Sequence, residues 1–285
     1  MIKSLIVTMR PKHWIKNLFV FIPLLVSGSY LNLFLFKESL FAFLSFCLAS
    51  SIVYFINDFL DIEKDKNHPV KKFRPIASGK INSLTVFFFI LLMILGLILI
   101  EIFSINNTYM IIVAYLVLNL NYSIWIKKLI IWDVICVSLG FVLRVQAGVL
   151  STNLETSPWL VSMTFTLAMF LILSKRSSEL KKSYSIKTRD SLRGYTLSSI
   201  KDMQNIFISC TLIFYLLYIN LNQTFNGRIE FLYVSSIFVI AGLMRFIQLS
   251  SLDSEEEDPT KLLYNDKVIM LSVILWGILI ALSHY

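Results

Sequence analysis

Charged residues are scarce in this sequence. Only 15% of its 285 residues are Asp, Glu, Lys or Arg, whereas about 25% is usual in a soluble domain. Hydrophobic residues make up 56%, and the mean hydropathy is +0.73. Apolar runs of about 20 residues, the length that crosses a bilayer, recur along the whole chain. This composition excludes an ordinary soluble domain and predicts one all-α, polytopic integral membrane domain over residues 1–285.

Cysteine is also scarce, and its placement excludes two further classes of protein. The three cysteines, Cys47, Cys136 and Cys210, lie in separate apolar runs, which is typical of small core residues and not of a disulfide framework or a metal site. The net charge of +8 comes from bases divided among short loops. We therefore expect contact with an anionic membrane leaflet and anionic substrates, and no binding of nucleic acid.

The apolar runs predict nine membrane spans. Pro23 and Gly28 interrupt the first span, which indicates a kink or a late start. The spans are at about 18–36, 39–60, 83–103, 108–126, 131–150, 158–174, 204–222, 229–249 and 266–283.

The distribution of lysine and arginine predicts the orientation of the spans. With the N-terminus in the cytoplasm, only Lys37 and Arg228 of the 26 basic residues fall in outer loops, and only Arg144 and Arg245 fall within spans. Basic loops stay on the cytoplasmic side of membrane proteins. The pattern predicts a multi-pass protein of the inner (cytoplasmic) cell membrane, with its active site on the cytoplasmic side.

The stretch 57–79, NDFLDIEKDKNHPVKKFRPIASG, carries the clearest chemical signal. Asp58, Asp61 and Asp65 are three and four residues apart, which on one helix places all three carboxylates on the same face beside Asn57. Hard oxygen ligands of this kind suit Mg²⁺ bound to phosphate. The alternative is a charged helix end without a ligand, which is common at the cytoplasmic surface of membrane proteins.

Bases follow this acidic cluster directly, and they can hold phosphate charge that a metal does not cover. These bases are Lys71, Lys72, Arg74 and Lys80. A second charged group, Lys175, Arg176 and Glu179, follows the sixth span at helical spacing. It is either a phosphate clamp with a carboxylate that orients the bases, or a surface ion pair that contributes little.

Arg144 is a charge inside the fifth span. Such a residue normally faces a cavity or a partner, but its position near the outer end also allows the side chain to extend outward to water. Asp133 begins the same span on the inner side, and Tyr122 belongs to a polar face at the end of the fourth span.

The stretch 57–79 resembles the first aspartate-rich signature, NDxxDxxxD, of the UbiA-type prenyltransferase superfamily, with the HPxKxxRPIAxG continuation that is widespread there. This resemblance implies a ring of about nine membrane helices around a lipid-accessible central cavity, capped by cytoplasmic loops. Most members carry a second signature, DxxxD, after the sixth span. This chain has KRSSEL there, at residues 175–180.

That departure is similar to the decaprenyl-phosphate phosphoribosyltransferase branch of the superfamily, as are RPKHWIKN at residues 10–17 and LRVQAG at residues 143–148. The segment from Asp258 to Asp266 is also similar to that branch. The branch implies transfer of 5-phosphoribosyl from phosphoribosyl pyrophosphate to a polyprenyl phosphate lipid, with Mg²⁺ as cofactor and diphosphate as leaving group. Its product is a precursor of cell-envelope glycans.

The resemblance also suggests roles for individual residues. Asp58 and Asp61 would be catalytic and, with Asp65, would bind the metal, while Asn57 would meet a ribose hydroxyl or the metal shell. Phosphate groups of the donor would be bound by Lys71, Arg74, Lys175 and Arg176, with Glu179 orienting the bases, and the lipid phosphate by Lys12 and Asn17.

Two other functions compete with this prediction. A standard prenyltransferase of the same fold would move a prenyl chain from its diphosphate to an aromatic acceptor, but the missing second DxxxD disfavours it. A transporter or lipid flippase would need charges accessible from both sides, and the outer loops have almost none. No oligomeric state follows from the sequence.

Overall fold

A computed structural model describes residues 1–106, 108–155, 157–182, 190–221, 228–251 and 265–284. Within these ranges every regular element is helical. The α-helices are α1 (Ile2–Met9), α2 (Ile22–Val26), α3 (Leu33–Leu60), α4 (Ile62–Lys66), α5 (Ser83–Phe103), α6 (Tyr109–Ile124), α7 (Trp132–Thr152), α8 (Pro158–Lys182), α9 (Leu197–Leu221), α10 (Ile229–Ser251) and α11 (Lys267–Leu282). Short 3₁₀ segments lie at Pro11–Phe21, Ser29–Leu31, Lys71–Phe73, Ile126–Lys128 and Asp190–Gly194.

Six of these helices are long and apolar enough to cross a membrane, namely α3, α5, α7, α8, α9 and α10. Helices α6 and α11 are apolar but shorter, with 16 residues each. The prediction of a multi-pass, all-α membrane protein is therefore confirmed. The count of nine spans and the cytoplasmic orientation stay predictions.

The predicted first span is broken, as Pro23 and Gly28 indicated, and it does not form one helix. Its residues form the 3₁₀ segment Pro11–Phe21, the short α2 and a turn at Gly28, whose φ of 72° is left-handed. Asn32 then starts α3 six residues earlier than predicted, because its side-chain Oδ1 accepts from the backbone N–H groups of Phe34 and Leu35.

Helices α3 and α7 lie at the centre of the fold. In each, 61% of the most apolar 18-residue window is buried, compared with 17% for α5 and α10. Small residues line the two central helices, which lets neighbouring helices approach closely without lipid between them. Buried examples are Ala42, Ser45, Ala49 and Ser50 on α3, and Ser138, Gly140, Ala147 and Gly148 on α7.

Two carboxylates, the buried Glu38 and the half-buried Glu101, anchor the connection between α5 and α6. Glu38 on α3 is 1% exposed, and its Oε2 accepts from Ser104 Oγ at 2.8 Å and from Ile105 N at 3.1 Å. Glu101 accepts from Thr108 N and Thr108 Oγ1 at 3.0 and 2.8 Å. Glu38 lies near the start of α3 and Asp58 near its end, about 30 Å apart along the helix axis. Glu38 and Glu101 therefore hold the end of the bundle opposite the aspartate-rich signature.

Gly148 lets the broken first segment pack directly on α7. A Cβ atom at this position would lie 2.0 Å from the carbonyl oxygen of Val20 and 3.2 Å from Cδ of Pro23. Since backbone cannot yield as a flexible side chain can, any larger residue must push this segment away from the central helix.

Gly148→Ala is therefore expected to lower the free energy of unfolding by about 1–3 kcal/mol, the usual cost of overpacking a close contact. Thermal unfolding of the purified protein in detergent measures the change. Gly277→Ala is the matched control, because a Cβ there meets nothing within 4 Å. Equal melting temperatures for the two variants would contradict the direct contact between Val20 and α7.

Candidate active site

The aspartate-rich signature spans a helix junction. Helix α3 ends at Leu60 and α4 begins at Ile62, and Asp61 between them has φ −96° and ψ 11°. The expectation that one continuous helix carries all three carboxylates is therefore wrong. The regular helix is interrupted at Asp61, so that Asp58 belongs to one helix and Asp65 to the next, although both still meet at Arg74.

Asp58 and Asp65 converge on the same base. Arg74 Nη1 donates to Asp58 Oδ1 at 3.0 Å and to Asp65 Oδ2 at 2.7 Å, and both aspartates are at most 3% exposed. Arg10 Nη2 donates to the same Asp58 Oδ1 at 2.5 Å. The Arg10 guanidinium also lies over the Tyr54 ring, 4.7 Å from its centroid. Burial of these carboxylates is tolerable because each has a positively charged partner.

Asp61 has a separate partner. Lys127, in the 3₁₀ segment Ile126–Lys128, donates to both Asp61 oxygens at 3.0 and 3.1 Å. Three acids thus meet three bases from three different parts of the chain, Arg10, Arg74 and Lys127. We refer to these six residues as the charge cluster. The sequence pattern indicated Arg74 but not Arg10 or Lys127, although Arg10 opens the RPKHWIKN string and Lys127 lies in a short basic loop.

The donor atoms of the charge cluster fit a hard cation. Carboxylate oxygens are what Mg²⁺ prefers, and the neighbouring Asn57 Oδ1 is buried without a hydrogen-bond partner in the structure. Among the described residues, no three Asp, Glu, His or Cys side chains are grouped as a ready set of metal ligands. Basic side chains contact these carboxylates instead. Arg74 bridges Asp58 and Asp65, and Lys127 contacts Asp61.

Two other residues that the sequence predicts to bind phosphate, Lys71 and Lys12, lie on the surface around the charge cluster. Lys71 is exposed in Lys71–Phe73, three residues before Arg74, whose N–H donates to the Lys71 carbonyl at 2.9 Å. Lys12 is exposed at the start of Pro11–Phe21, two residues after Arg10.

The second charged group is largely buried and is not a surface ion pair. Helix α8 continues past the predicted end at 174, so Lys175, Arg176 and Glu179 are helical. Arg176 is 3% exposed, and it donates to Glu179 Oε2 at 2.7 Å and to Asp133 Oδ2 at 2.8 Å. A longer contact of 3.4 Å reaches Tyr122 OH. Lys175 is half-buried and makes no ion pair or hydrogen bond with any described residue, which leaves its ammonium available to a ligand.

Asp133 is the centre of this second network. It is fully buried at 0% exposure, and besides Arg176 it accepts from Ser191 Oγ and Tyr195 OH, both at 3.3 Å. Burial and the nearby Asp133 raise the pKa of Tyr195 to about 12, so its phenol stays protonated and able to donate. The sequence indicated Asp133 as polar, but nothing local linked it to Ser191 or Tyr195, which are more than 55 residues away.

A family model described as the UbiA prenyltransferase family matches residues 18–281, a range that includes the aspartate-rich signature and the second charged group. The chain belongs to this family. The resemblance drawn from the aspartate-rich signature is therefore confirmed.

Relatives of this UbiA-family protein include enzymes of the branch indicated by the KRSSEL string. This chain is 31% identical over 221 residues to the decaprenyl-phosphate phosphoribosyltransferase of Mycolicibacterium smegmatis, and the match covers 75% of this chain and 70% of the relative. It is 26% identical over 290 residues to the protein of that name in Corynebacterium glutamicum, covering 99% and 87%.

The fold also matches solved structures of the family. A UbiA homologue from Archaeoglobus fulgidus, solved bound to GPP and Mg²⁺, superposes with a TM-score of 0.72 over 98% of each chain at 19% identity. The UbiA-type arrangement of helices is therefore confirmed.

Arg144 faces the interior of this UbiA-family protein and does not extend outward. It is 6% exposed, and its guanidinium donates to Asn17 Oδ1 at 2.7 Å, the Gly140 carbonyl at 2.7 Å and Tyr115 OH at 3.0 Å. Rings of Phe46, Tyr115 and Phe141 lie within 5.5 Å. Asn17 is itself fully buried and donates to Cys47 Sγ and Ser50 Oγ, so the structure does not bring it to the charge cluster with Lys12.

The structure describes only part of the segment from Asp258 to Asp266, whose sequence is similar to the phosphoribosyltransferase branch. Asp266 caps α11 and pairs with Arg245 at 2.8 Å. Residues 252–264, including the acidic run from Asp253 to Asp258, lie outside the described residues.

Arg144→Lys is expected to lower the free energy of unfolding by about 2 kcal/mol or more, because one ammonium cannot reach all three acceptors of the guanidinium. Thermal unfolding in detergent measures this change. Arg245→Lys is the control, since its pair with Asp266 is partly exposed and such pairs contribute little to stability. Similar losses for both variants would argue against a packing role for Arg144.

Proposed function

We propose that this UbiA-family protein transfers 5-phosphoribosyl from phosphoribosyl pyrophosphate to a polyprenyl phosphate, releasing diphosphate, in the synthesis of cell-envelope glycan precursors. The observation that best supports this is the half-buried Lys175 beside Arg176, at the place where most members carry a second acidic signature. This donor carries a diphosphate and a further anionic group. An acidic subsite that binds the diphosphate through a metal, together with a basic subsite for the other group, suits such a donor. The relatives named decaprenyl-phosphate phosphoribosyltransferase support the same type of transfer.

The charge cluster suits departure of a diphosphate. Mg²⁺ held by Asp58, Asp61 and Asp65, with Asn57 Oδ1 nearby, would neutralise the charge that develops on the leaving oxygens. The Archaeoglobus fulgidus homologue was solved with Mg²⁺, which supports a divalent ion in this family.

The bases divide into those that bind phosphate and those that position other groups. Arg74, Lys71 and Lys175 are assigned to phosphate oxygens of the donor. Arg176 already donates to three partners, so we assign it, with Glu179, to positioning the end of α8 that carries Lys175.

The acceptor needs little activation. A phosphate monoester is already largely ionised at pH 7, so it can attack the ribose carbon without a strong general base. The ribose carbon would pass through an oxocarbenium-like state, and attack opposite the leaving group would invert the anomeric centre. Lys12, exposed near Arg10, is assigned to the lipid phosphate, and the buried Asn17 is left out of that role.

Membranes containing the protein, given labelled phosphoribosyl pyrophosphate, Mg²⁺ and polyprenyl phosphate, are expected to form labelled lipid and diphosphate in equal amounts. Formation of prenylated hydroxybenzoate from a prenyl diphosphate, with no labelled lipid, would overturn the proposal in favour of a standard prenyltransferase. Lipid flux across liposomes without product would instead favour a flippase.

Asp58→Ala and Asp61→Ala serve as inactive controls in this assay, and both proteins should still insert and purify. The matched control is Glu63→Ala, because Glu63 in the same stretch is exposed and pairs only with Lys66 at 2.9 Å. Near-normal turnover in either aspartate variant would remove the metal role from that residue.

Lys175→Ala should raise the apparent dissociation constant for phosphoribosyl pyrophosphate about tenfold, the equivalent of one charge-assisted contact of about 1.4 kcal/mol. Its apparent affinity for Mg²⁺ should change much less. Calorimetric titration measures both constants. Lys201→Ala, which removes an exposed lysine from α9, provides the control, and an unchanged donor affinity in Lys175→Ala would exclude Lys175 from the site.

A further inference from the structure

A strained turn precedes α7. Ile131 has φ 70° and ψ −50°, a left-handed conformation that branched residues rarely adopt. The Trp132 N–H donates to the Ile130 carbonyl at 2.8 Å, which closes a three-residue γ-turn of the strained type. Strain of this kind persists only where the surrounding structure holds it.

Tyr195 holds this turn from outside. Its hydroxyl accepts from the Ile131 N–H at 2.8 Å and donates to Asp133 Oδ1 at 3.3 Å. Ser191, four residues before Tyr195, donates to the other Asp133 oxygen. Asp133, Ser191 and Tyr195 are each at most 6% exposed, so these bonds are shielded from water.

The segment 190–195 also packs tightly against the connection between α6 and α7. A Cβ atom on Gly194 would collide with Ile130 Cδ1, so a larger residue there would displace the Ile130 side chain. The connection is short and internally bonded, with Lys128 N donating to Trp125 O and Leu129 N donating to Ile126 O. Contacts that restrain Ile130 and Ile131 therefore also restrain Lys127, which lies three and four positions earlier in the same hydrogen-bonded connection.

Lys127 is the one base of the charge cluster that this connection supplies, and it contacts both oxygens of Asp61. We propose that Tyr195 and Asp133 are positioning residues that form a latch, by which segment 190–195 sets Lys127 against Asp61. The latch thereby tunes the affinity of the charge cluster for metal-bound diphosphate. This last consequence rests on the proposed function, whereas the positioning of Lys127 does not.

The first test uses the free protein. Tyr195→Phe removes only the hydroxyl, and it should raise the rate of acetylation of Lys127, followed by mass spectrometry, about fivefold, the effect of losing one buried hydrogen bond. Exposed Lys128 is the internal standard and should not change. Tyr233→Phe is the control variant, because its hydroxyl donates to Asn220 at an exposed site on α10. An unchanged Lys127 rate in Tyr195→Phe would overturn the latch.

The second test measures binding of pyrophosphate with Mg²⁺ by calorimetric titration. Tyr195→Phe should weaken binding about fivefold, because a loosened Lys127 must be ordered when the ligand binds. In a Lys127→Gln background the same change should have no effect, since residues that act through each other are not additive. Equal weakening in both backgrounds, with a lower melting temperature, would mean that Tyr195 only stabilises the fold and would overturn the latch.

The two tests separate the latch from the proposed function. If acetylation of Lys127 rises in Tyr195→Phe while the unmodified protein fails to bind pyrophosphate with Mg²⁺, the latch stands and the proposed function is wrong. Asp133→Asn provides a second variant, because it weakens the acceptor for Tyr195 while keeping the size of the side chain. It should reproduce the Tyr195→Phe result at Lys127.

Discussion

The pairing of three acids with three bases, at the end of the bundle that carries the aspartate-rich signature, is the interaction on which the rest of the site depends. Asp58 and Asp65 are almost fully buried, which without cationic partners would cost several kcal/mol per ion. Arg10, Arg74 and Lys127 come from three separate segments, so the neutral cluster also ties those segments together. At the opposite end of the bundle, Glu38 and Glu101 are satisfied by hydroxyl and backbone N–H donors instead. Among the described residues, the buried carboxylates that pair with cationic side chains therefore lie at the end with the aspartate-rich signature.

The second network gives this end of the molecule its rigidity. Arg176 could have been a free phosphate ligand, but Asp133 and Glu179 hold it and leave Lys175 as the available base. Asp133 in turn accepts from the segment after α8, so a loop distant in sequence is fixed beside the charge cluster. The site thus has two parts. One is the set of ion pairs in the charge cluster, and the other is the set of buried hydrogen bonds around Asp133.

Prediction from the sequence failed where backbone conformation depends on packing. A regular helix through Asp61 would place three carboxylates on one face, but the regular helix is interrupted there, and Asp58 and Asp65 meet at Arg74 while Asp61 pairs with Lys127. The first span is broken for a similar reason. Pro23 and Gly28 weaken the helix, and Gly148 on a distant helix then offers a surface on which irregular backbone can lie. Local propensity indicated a kink, and only the contact with α7 determined its form.

The sequence by itself determined the membrane class, most of the spans and the family, because hydropathy is a local property and the NDxxDxxxD signature is contiguous in the chain. It also indicated the acidic and basic groups of the site, since these lie within runs of a few residues. Only the tertiary structure decided which charge meets which. Ion pairs such as those of Arg10 with Asp58 and Lys127 with Asp61 join residues 48 and 66 positions apart, and no periodicity in the sequence records such distances.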